Sequence, residues 1–322
     1  MIVRLFSTLC LVLSLSVAAK PTFEEYVEQL KIEATEKGFT AEIIQLAFAD
    51  IEFYQRAVKA DKNQPEFKMT LDRYLATRLP DWKVEQAIKL YKENQELLEQ
   101  VAKQYGVQAR FIVALWGNES NFGKIQGKYP VISALTTLAY EGRRETLFKK
   151  QLFAAMQILQ EGHISKAEFL GSWAGAMGQS QFMPTSFLNY AQDFDGDNKK
   201  NIWQNKADVF ASIANYLKSE GWDDSQTWGR QVIIPEDFDL TLAGLDKTKM
   251  RSLQQWQALG IRRYDGSDLP SRDMQASLVM PDDEKGRIYL VYNNFHTLMK
   301  WNRSTYFGSS VSILADRIKA GL

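Results

Sequence analysis

Glu119 is the residue whose type and setting best suit acid–base chemistry. It lies in ALWGNESNFGK, residues 114 to 124, just after an apolar run, and aromatic residues flank it. No other acidic residue occurs between Glu99 and Glu141. A carboxyl group in an apolar setting has its ionised form disfavoured, so its pKa rises and it becomes a general acid near neutral pH. An ordinary glutamate at the exposed end of a helix gives the same local pattern and is the commoner case.

Other catalytic signals are missing from the sequence. It contains no G-x-S-x-G motif, and its single cysteine, Cys10, lies in the N-terminal apolar segment. The two histidines, His163 and His296, are far apart and lack metal-ligand spacing. GAMG at 175 to 178 is not a dinucleotide fingerprint. A carboxylate therefore remains the best candidate for chemistry.

A second informative stretch is GSWAGAMGQSQFMPTSF, residues 171 to 187. It combines glycines and small residues with amides, hydroxyls and aromatic rings, and no acid occurs between Glu168 and Asp193. Glycines allow a ligand to approach the backbone closely. Amides, hydroxyls and aromatic faces together suit a neutral polar ligand such as a sugar. The alternative is a tight packing loop in which the glycines serve only close approach.

A third stretch, DFDGDNKKNIWQNKAD at 193 to 208, has its first three aspartates at positions 1, 3 and 5 of a calcium-loop pattern. Two departures are Asn198 where the pattern has glycine and Gln204 where it has a bidentate glutamate. Asparagine tolerates the left-handed conformation required there. A solvated acidic turn is the alternative. The candidate ligands are Asp193, Asp195, Asp197, the Lys199 carbonyl and Asp208.

The N-terminus, MIVRLFSTLCLVLSLSVAAK, has one early cation, a short apolar stretch and small residues at Val17 and Ala19. This pattern predicts a signal peptide at 1–19 that is removed before Lys20; an uncleaved anchor is the alternative. Leu9 precedes Cys10 where a lipoprotein signal has a small residue, so we expect no lipidation. The mature chain then has no cysteine and no disulfide, and we expect a soluble periplasmic protein without a membrane span.

Composition limits the function classes. The 322 residues include 39 basic and 39 acidic side chains, and no basic block occurs. A nucleic-acid partner is therefore not expected. Helical spacing of apolar residues prevails to about residue 220, and β-branched runs broken by Pro, Asp and Gly follow. The sequence predicts a mainly α fold (α+β) with a small β-containing region.

Individual elements follow from caps and periodicity. Thr22 and Glu25 form a capping-box pattern, and a second helix is predicted to start near Thr40. Residues 81–105 predict one long helix that Asp81 caps and Gly106 ends. The other predicted helices are 107–116, which delivers Glu119 just past its end, 144–161, 184–191, 206–219 and 309–320, and the predicted strands lie within 230–242 and 276–294.

Taken together, these stretches resemble the lytic murein transglycosylases of the B type, glycoside hydrolase family 103. The resemblance covers nearly the whole chain from about residue 22. It implies a lysozyme-like α core with an accessory α region and a small β region. The motifs that carry it are WGNESNFG, LTTLAYEGRR (135–144), GSWAGAMGQSQFMPTSF, DFDGDNKKNIW, ASIANYLKSEGW (211–222), DKNQPEF (61–67) and NNFHTLMKWNRSTYF (293–307).

The resemblance also implies a domain order and a set of site residues. The expected segments are the signal peptide 1–19, an N-terminal α region 20–105, a catalytic core 106–228, a small α/β region 229–290 and a C-terminal segment 291–322. Glu119 is the expected catalytic residue, and the family's calcium loop maps onto the five candidate ligands. The implied substrate-binding residues are Ser172, Met177, Gln181, Phe182, Tyr216 and Asn302.

The activity that the resemblance implies is cleavage of the β-1,4 bond between N-acetylmuramic acid and N-acetylglucosamine in peptidoglycan, with formation of a 1,6-anhydromuramoyl end. We expect a monomer that acts on glycan strands, needs no catalytic cofactor and holds a structural Ca²⁺. Two alternatives stay open: a hydrolytic muramidase on the same scaffold, which requires a second carboxylate facing Glu119, and a non-catalytic peptidoglycan-binding protein.

Overall fold

The structure is a computed structural model that describes residues 20–63 and 69–322. The signal peptide predicted at 1–19, and residues 64–67 of the DKNQPEF stretch, lie outside the described residues. Within the described part, thirteen of the fourteen α-helices surround one main core. The remaining helix, Leu253–Ala258, packs with a small antiparallel sheet around a second core. No helix in that part has both the length and the apolar character needed to cross a bilayer.

The helices are α1 Phe23–Glu36, α2 Ala41–Phe48, α3 Gln55–Lys62, α4 Leu71–Arg78, α5 Asp81–Glu93, α6 Gln95–Tyr105, α7 Ala109–Ser120, α8 Val131–Glu141, α9 Glu145–Gln160, α10 Pro184–Tyr190, α11 Lys206–Ser219, α12 Leu253–Ala258, α13 Asn293–Trp301 and α14 Thr305–Ala320. The strands are β1 Tyr129–Pro130, β2 Leu170–Gly171, β3 Gly229–Ile233, β4 Arg251–Ser252, β5 Arg262–Arg263, β6 Gln275–Val279 and β7 Ile288–Val291. Short 3₁₀ helices occur at Lys166–Glu168, Leu240–Leu242 and Lys247–Lys249.

Helix α7 lies at the centre of the main core. It is packed by α5, α6, α11 and α14, and every side chain from Phe111 to Trp116 is buried. A helix enclosed in this way is held by the apolar surface it removes from water, at about 25 cal/mol per Å². The packing therefore fixes where the last turn of α7, which carries Glu119, emerges.

The small sheet has the strand order β4-β6-β7-β3-β5 with antiparallel pairs throughout, and Val232 pairs with both Ile288 and Arg263. Its own apolar cluster is built around Trp256, Leu278 and Leu290. After β7 the chain enters α13 and α14, and α14 packs against α7. This return path brings residues near 300 back to the helix that carries Glu119. The segment limits expected from the sequence stay predictions.

Several local predictions are confirmed. Thr22 accepts a hydrogen bond from the Glu25 backbone N–H, and the Glu25 side chain accepts one from the Thr22 backbone N–H, which completes the capping box. Thr40 caps α2, and Gly106 ends α6 in the left-handed conformation at φ 62°. These features depend only on neighbours in sequence, so local chemistry is enough to predict them.

Three helix predictions are wrong in part. The long helix predicted at 81–105 is two helices, because the backbone at Asn94 (φ −116°, ψ 20°) interrupts it and the Asn94 amide donates to the Leu90 carbonyl. Pro80, not Asp81, is the N-cap residue of α5. Helix α7 runs to Ser120, so Glu119 lies within its last turn and not just past its end.

Helix α8 was not predicted from periodicity. All of its residues from 131 to 139 are buried, and its sequence, VISALTTLAYE, is apolar or small on every side. A helix without a polar face has no amphipathic period for a pattern to reveal. Its position in the main core, against α9, explains this composition.

Candidate active site

Glu119, in the last turn of α7, contacts Trp301, the last residue of α13. The Trp301 indole Nε1–H donates a hydrogen bond to Glu119 Oε1 at 2.6 Å, across 182 positions of sequence. An indole N–H can only donate, so Oε1 accepts in both ionisation states of the carboxyl group. The acidic proton of Glu119 therefore resides on Oε2, the oxygen that is left for a substrate.

Glu119 lines a cavity of about 300 Å³ between α7 and the N-terminal helices. The side chain is half-buried. Among the described residues, Glu119 is the only acidic residue that lines this cavity. Its other lining residues are Thr77, Arg78, Pro80, Trp82, Lys83, Gly117, Asn118, Asn121 and Ile125.

Burial raises the pKa of Glu119 from its ordinary 4.5 to about 7. The hydrogen bond from Trp301 and the positive charge of Arg78 both act in the opposite direction, so removal from water is the dominant cause. An acid with a pKa near 7 is present in both forms at neutral pH. It can therefore give a proton in one step and accept one in the next.

An aromatic cluster supports the Trp301 side of the site. Trp301 contacts Phe182 with ring centroids 5.3 Å apart and Tyr216 with centroids 4.6 Å apart. Tyr216 in turn contacts Tyr190 at 4.5 Å. Phe182 and Tyr216 are themselves buried, so they hold the indole in the orientation that reaches Glu119.

The stretch 171–182 folds as a tight hairpin that contributes Phe182 to this cluster. Met177 is fully buried and exchanges two backbone hydrogen bonds with Phe182, at 2.8 and 3.1 Å. Gln181 has a positive φ of 49°, and its amide donates to the carbonyls of Gln126 and Gly178. A small residue is required at Gly178, because an added Cβ would lie 2.7 Å from the Ile202 carbonyl oxygen.

Ser172 lies at the other end of the same hairpin. Its hydroxyl oxygen accepts the backbone N–H groups of Ala174 at 3.3 Å and of Ala176 at 3.0 Å. Because the oxygen already accepts two bonds, the hydroxyl proton stays available for a further acceptor. Asn302 follows Trp301 directly and is exposed at the end of α13.

Gln179, to which sequence reasoning assigned no role, joins three parts of the site. It is buried, its Oε1 accepts the Trp116 indole N–H at 2.7 Å, and its Nε2 donates to the Trp203 carbonyl at 2.9 Å. Trp116 lies one turn before Glu119. Gly123 packs so closely on this amide that an added Cβ would lie 2.4 Å from its oxygen. A lone glutamine within a motif gives no sequence signal for such a bridge.

The acidic loop brings three carboxylates together. Oxygen atoms of Asp193, Asp195 and Asp197 lie within 4.8 Å of one another. Asp193 accepts backbone N–H bonds at 2.8 Å from Gly196 and from Asn198. Asn198 has φ 67°, which confirms the expectation that it adopts the left-handed conformation at this turn.

Asp208 braces the same loop from α11. It is fully buried, and its two oxygens accept the backbone N–H groups of Phe194 at 2.8 Å and of Asn201 at 2.7 Å. The pKa of Asp208 is raised overall, and burial is the largest cause. The two hydrogen bonds lower this pKa, and the negative charges of Asp195 and Asp193 raise it. Asp208 therefore lies near the cluster. The roles of Asp208 and of the Lys199 carbonyl as metal ligands stay predictions.

Comparison with known proteins assigns the chain to a family. Residues 22–316 match the family model of the transglycosylase SLT domain, and the chain belongs to this family. Over 238 residues it is 32% identical to membrane-bound lytic murein transglycosylase B of Escherichia coli (strain K12). That alignment covers 73% of this chain and 63% of the E. coli protein, which is less than two thirds of its length.

Solved structures of lytic transglycosylases have the same fold. SltB3 of Pseudomonas aeruginosa in complex with NAG-anhNAM-pentapeptide superposes with a TM-score of 0.89 at 41% identity, covering 92% of this chain and 79% of that one. SltB1 of the same organism gives a TM-score of 0.81 at 30% identity over 94% and 99% of the two chains. The mainly α, lysozyme-like fold expected from the sequence is thereby confirmed.

Proposed function

We propose that the chain is a lytic transglycosylase that cleaves the β-1,4 bond between N-acetylmuramic acid and N-acetylglucosamine and closes a 1,6-anhydro ring. The observation that carries the proposal is the isolation of Glu119. Among the described residues, no other carboxyl group lines its cavity. Hydrolysing glycosidases place two carboxylates across the scissile bond, whereas intramolecular closure requires one group that acts twice. The relatives named as lytic transglycosylases support this reading.

In the first step, the Glu119 proton passes from Oε2 to the leaving glycosidic oxygen. The pKa near 7 keeps the acid substantially protonated at neutral pH, which is what a general acid requires. The acetamido group of the muramoyl sugar stabilises the cation that develops at C1. The Trp301 N–H strengthens its bond to Oε1 as the carboxylate forms, because hydrogen bonds to charged acceptors are the stronger ones.

In the second step, the Glu119 carboxylate takes the proton of the C6 hydroxyl of the same sugar, and that oxygen bonds to C1. Bond formation at C1 completes the anhydro ring without water. The nucleophile is held within the substrate, so its effective concentration is high. Glu119 ends protonated, ready for the next bond.

The aromatic cluster and the 171–182 hairpin supply the surface that holds the sugar. In this proposal the free hydroxyl proton of Ser172 meets the acetamido carbonyl, and Phe182 and Tyr216 keep Trp301 aimed at Glu119. Met177 forms the buried floor of the hairpin. The complete set proposed to bind or border the substrate is Ser172, Met177, Gln181, Phe182, Tyr216 and Asn302.

The direct test is mass spectrometry of the muropeptides released from peptidoglycan. We expect products that carry an anhydromuramoyl end and no incorporation of oxygen from labelled water. Products with reducing ends would identify a hydrolytic muramidase. Glu119→Gln is expected to abolish release. Full release by that variant would refute the role of Glu119.

We also propose that the acidic loop holds a structural Ca²⁺. The convergence of Asp193, Asp195 and Asp197 supports this, because carboxylate oxygens within 4.8 Å of one another are the hard donors that Ca²⁺ prefers. The Lys199 carbonyl and Asp208 would complete a set of hard oxygen donors. The Slt35 lytic transglycosylase of Escherichia coli, with a TM-score of 0.79 at 25% identity and 95% coverage of both chains, was solved in complex with calcium. The ion would stabilise the loop and take no part in proton transfer.

Export to the periplasm and a monomeric state complete the proposal. The leader pattern at residues 1–19 and the extracytoplasmic location of peptidoglycan support export. N-terminal sequencing of the protein from a periplasmic extract tests it. A mature N-terminus at Lys20 is expected, and retention of the leader on a membrane-bound form would contradict it.

A further inference from the structure

The cavity beside Glu119 has a basic wall that the proposed reaction does not use. Arg78, the last residue of α4, and Lys83, in the first turn of α5, line the cavity together with Glu119. Trp82 lies between them in sequence and is 56% exposed. Two cations and an exposed aromatic ring, all from the segment 78–83, thus line the cavity beside Glu119.

Lys83 is a largely buried residue that lines the cavity and has no protein partner among the described residues. It is 6% exposed, and over residues 20–63 and 69–322 its ammonium group makes no hydrogen bond and no ion pair. Burial, with a smaller contribution from the charge of Arg78, lowers the pKa of Lys83 to about 8, so the group is still mostly cationic at neutral pH. An ammonium group on the cavity wall that is largely removed from water and has no protein acceptor interacts favourably with a ligand anion.

Arg78 adds an exposed guanidinium group to the same wall. Its Cζ lies 5.6 Å from the centre of the Tyr74 ring, and in the described part of the chain it forms no ion pair. Its positive charge lowers the pKa of both Glu119 and Lys83, so it lies within electrostatic reach of both. A guanidinium fork beside an ammonium group is a typical carboxylate-binding arrangement.

The proposed substrate carries carboxylates in two places. The lactyl group of muramic acid has a free carboxylate when no peptide is attached, and the stem peptide has carboxylates of its own when one is. The sugar rings are otherwise neutral. The exposed face of Trp82 suits a sugar ring or the apolar part of a peptide next to such an anion.

We propose that Lys83 and Arg78 form a carboxylate subsite that makes the enzyme prefer anionic glycan strands over neutral ones. This inference rests on the proposed function, because the carboxylate belongs to the proposed substrate. The subsite acts on binding. It takes no part in proton transfer, which Glu119 performs alone.

The test measures binding without turnover. In a Glu119→Gln background, calorimetry compares three soluble glycan fragments: one with stem peptides, one freed of peptides so that its lactyl carboxylates are exposed, and the latter with these carboxylates converted to methylamides. Lys83→Met and Arg78→Gln are each added to this background. Lys89→Met is the matched control, because Lys89 lies on the same helix α5, is exposed, and faces Glu93 at 3.7 Å.

For the fragment whose carboxylate is recognised, Lys83→Met and Arg78→Gln are each expected to raise Kd roughly ten-fold or more, because a hydrogen bond to a charged group is lost. The methylamide fragment should bind all variants within about two-fold. An effect on the peptide-bearing fragment alone identifies the stem as the source of the anion. An effect that appears once the peptide is removed identifies the lactyl group.

Two outcomes would overturn the subsite. One is an equal loss on the neutral and the anionic fragments, which would make Lys83 a packing residue. The other is no loss with either variant. Absence of binding to all three fragments while Lys83 and Arg78 are intact would instead count against the proposed substrate. Arg78 is exposed, so Arg78→Gln keeps the test valid even if Lys83→Met destabilises α5.

Discussion

The hydrogen bond from Trp301 to Glu119 predicts a displaced pH profile when the indole N–H is removed. In Trp301→Phe the ring contacts with Phe182 and Tyr216 are retained in kind, but the donor at 2.6 Å is lost. That donor lowers the pKa of Glu119. Its loss therefore raises this pKa above about 7 and extends the protonated, acid-competent form to higher pH.

The magnitude follows from the difference between the two ionisation states. A hydrogen bond to a carboxylate contributes about 2 kcal/mol and one to a neutral carbonyl about 1 kcal/mol. The difference of about 1 kcal/mol corresponds to roughly 0.7 pH unit, since one unit equals about 1.4 kcal/mol. With the midpoint moved this far, the ratio of the rate at pH 8 to the rate at pH 6 should rise about three-fold.

The assay is the pH dependence of kcat/KM on soluble glycan strands, which reports groups of the free enzyme. A carbon-13 titration of the Glu119 carboxyl group gives the same quantity without turnover. Trp222→Phe is the control, because Trp222 also donates its indole N–H to a side chain, Gln108 at 2.8 Å, outside the cavity that Glu119 lines. The rate should fall at high pH as Glu119 loses its proton. If the midpoint of this fall is unchanged in Trp301→Phe, or moves to lower pH, the assigned role of the indole is refuted.

Other predictions follow from the same contacts. Glu119→Gln should stabilise the protein at pH 8 by up to about 3 kcal/mol and have no effect near pH 4. Because the pKa of Glu119 is raised on folding, the folded state favours the protonated acid. The stability of the wild-type protein therefore declines as pH rises from 4.5 through about 7. Thermal unfolding across this range measures the difference, and a constant offset would contradict it. Gln179→Ala should cost about 2–3 kcal/mol because it leaves a buried indole N–H and a carbonyl unpaired; Gln254→Ala, which removes an exposed amide, should cost under about 0.5 kcal/mol in the same denaturant titration. A chelator should lower the melting temperature by several degrees, by mass action, and Asp195→Asn should abolish that dependence on calcium; an unchanged melting temperature in wild type would count against a bound ion.

Much of the fold could be predicted from the sequence where the signal is local. The capping box at Thr22, the helix start after Thr40 and the left-handed Gly106 depend on residues within one turn of one another. The break at Asn94 could not be predicted, because the helical spacing continues across it. Asn94 also accepts a hydrogen bond from the Lys206 ammonium group, a residue 112 positions away.

The sequence by itself identified Glu119 as the candidate acid, because it is the single carboxylate between Glu99 and Glu141 and follows an apolar run. It also indicated a candidate sugar-binding stretch at 171–187 and the acidic loop at 193–208. Only the tertiary structure decided how that acid is tuned. Its proton-bearing oxygen, its raised pKa and the basic wall beside it depend on Trp301, Arg78 and Lys83, which three different helices bring to α7. Electrostatic and hydrogen-bonding effects act through space, and a linear pattern carries no record of distances between segments that meet only after folding.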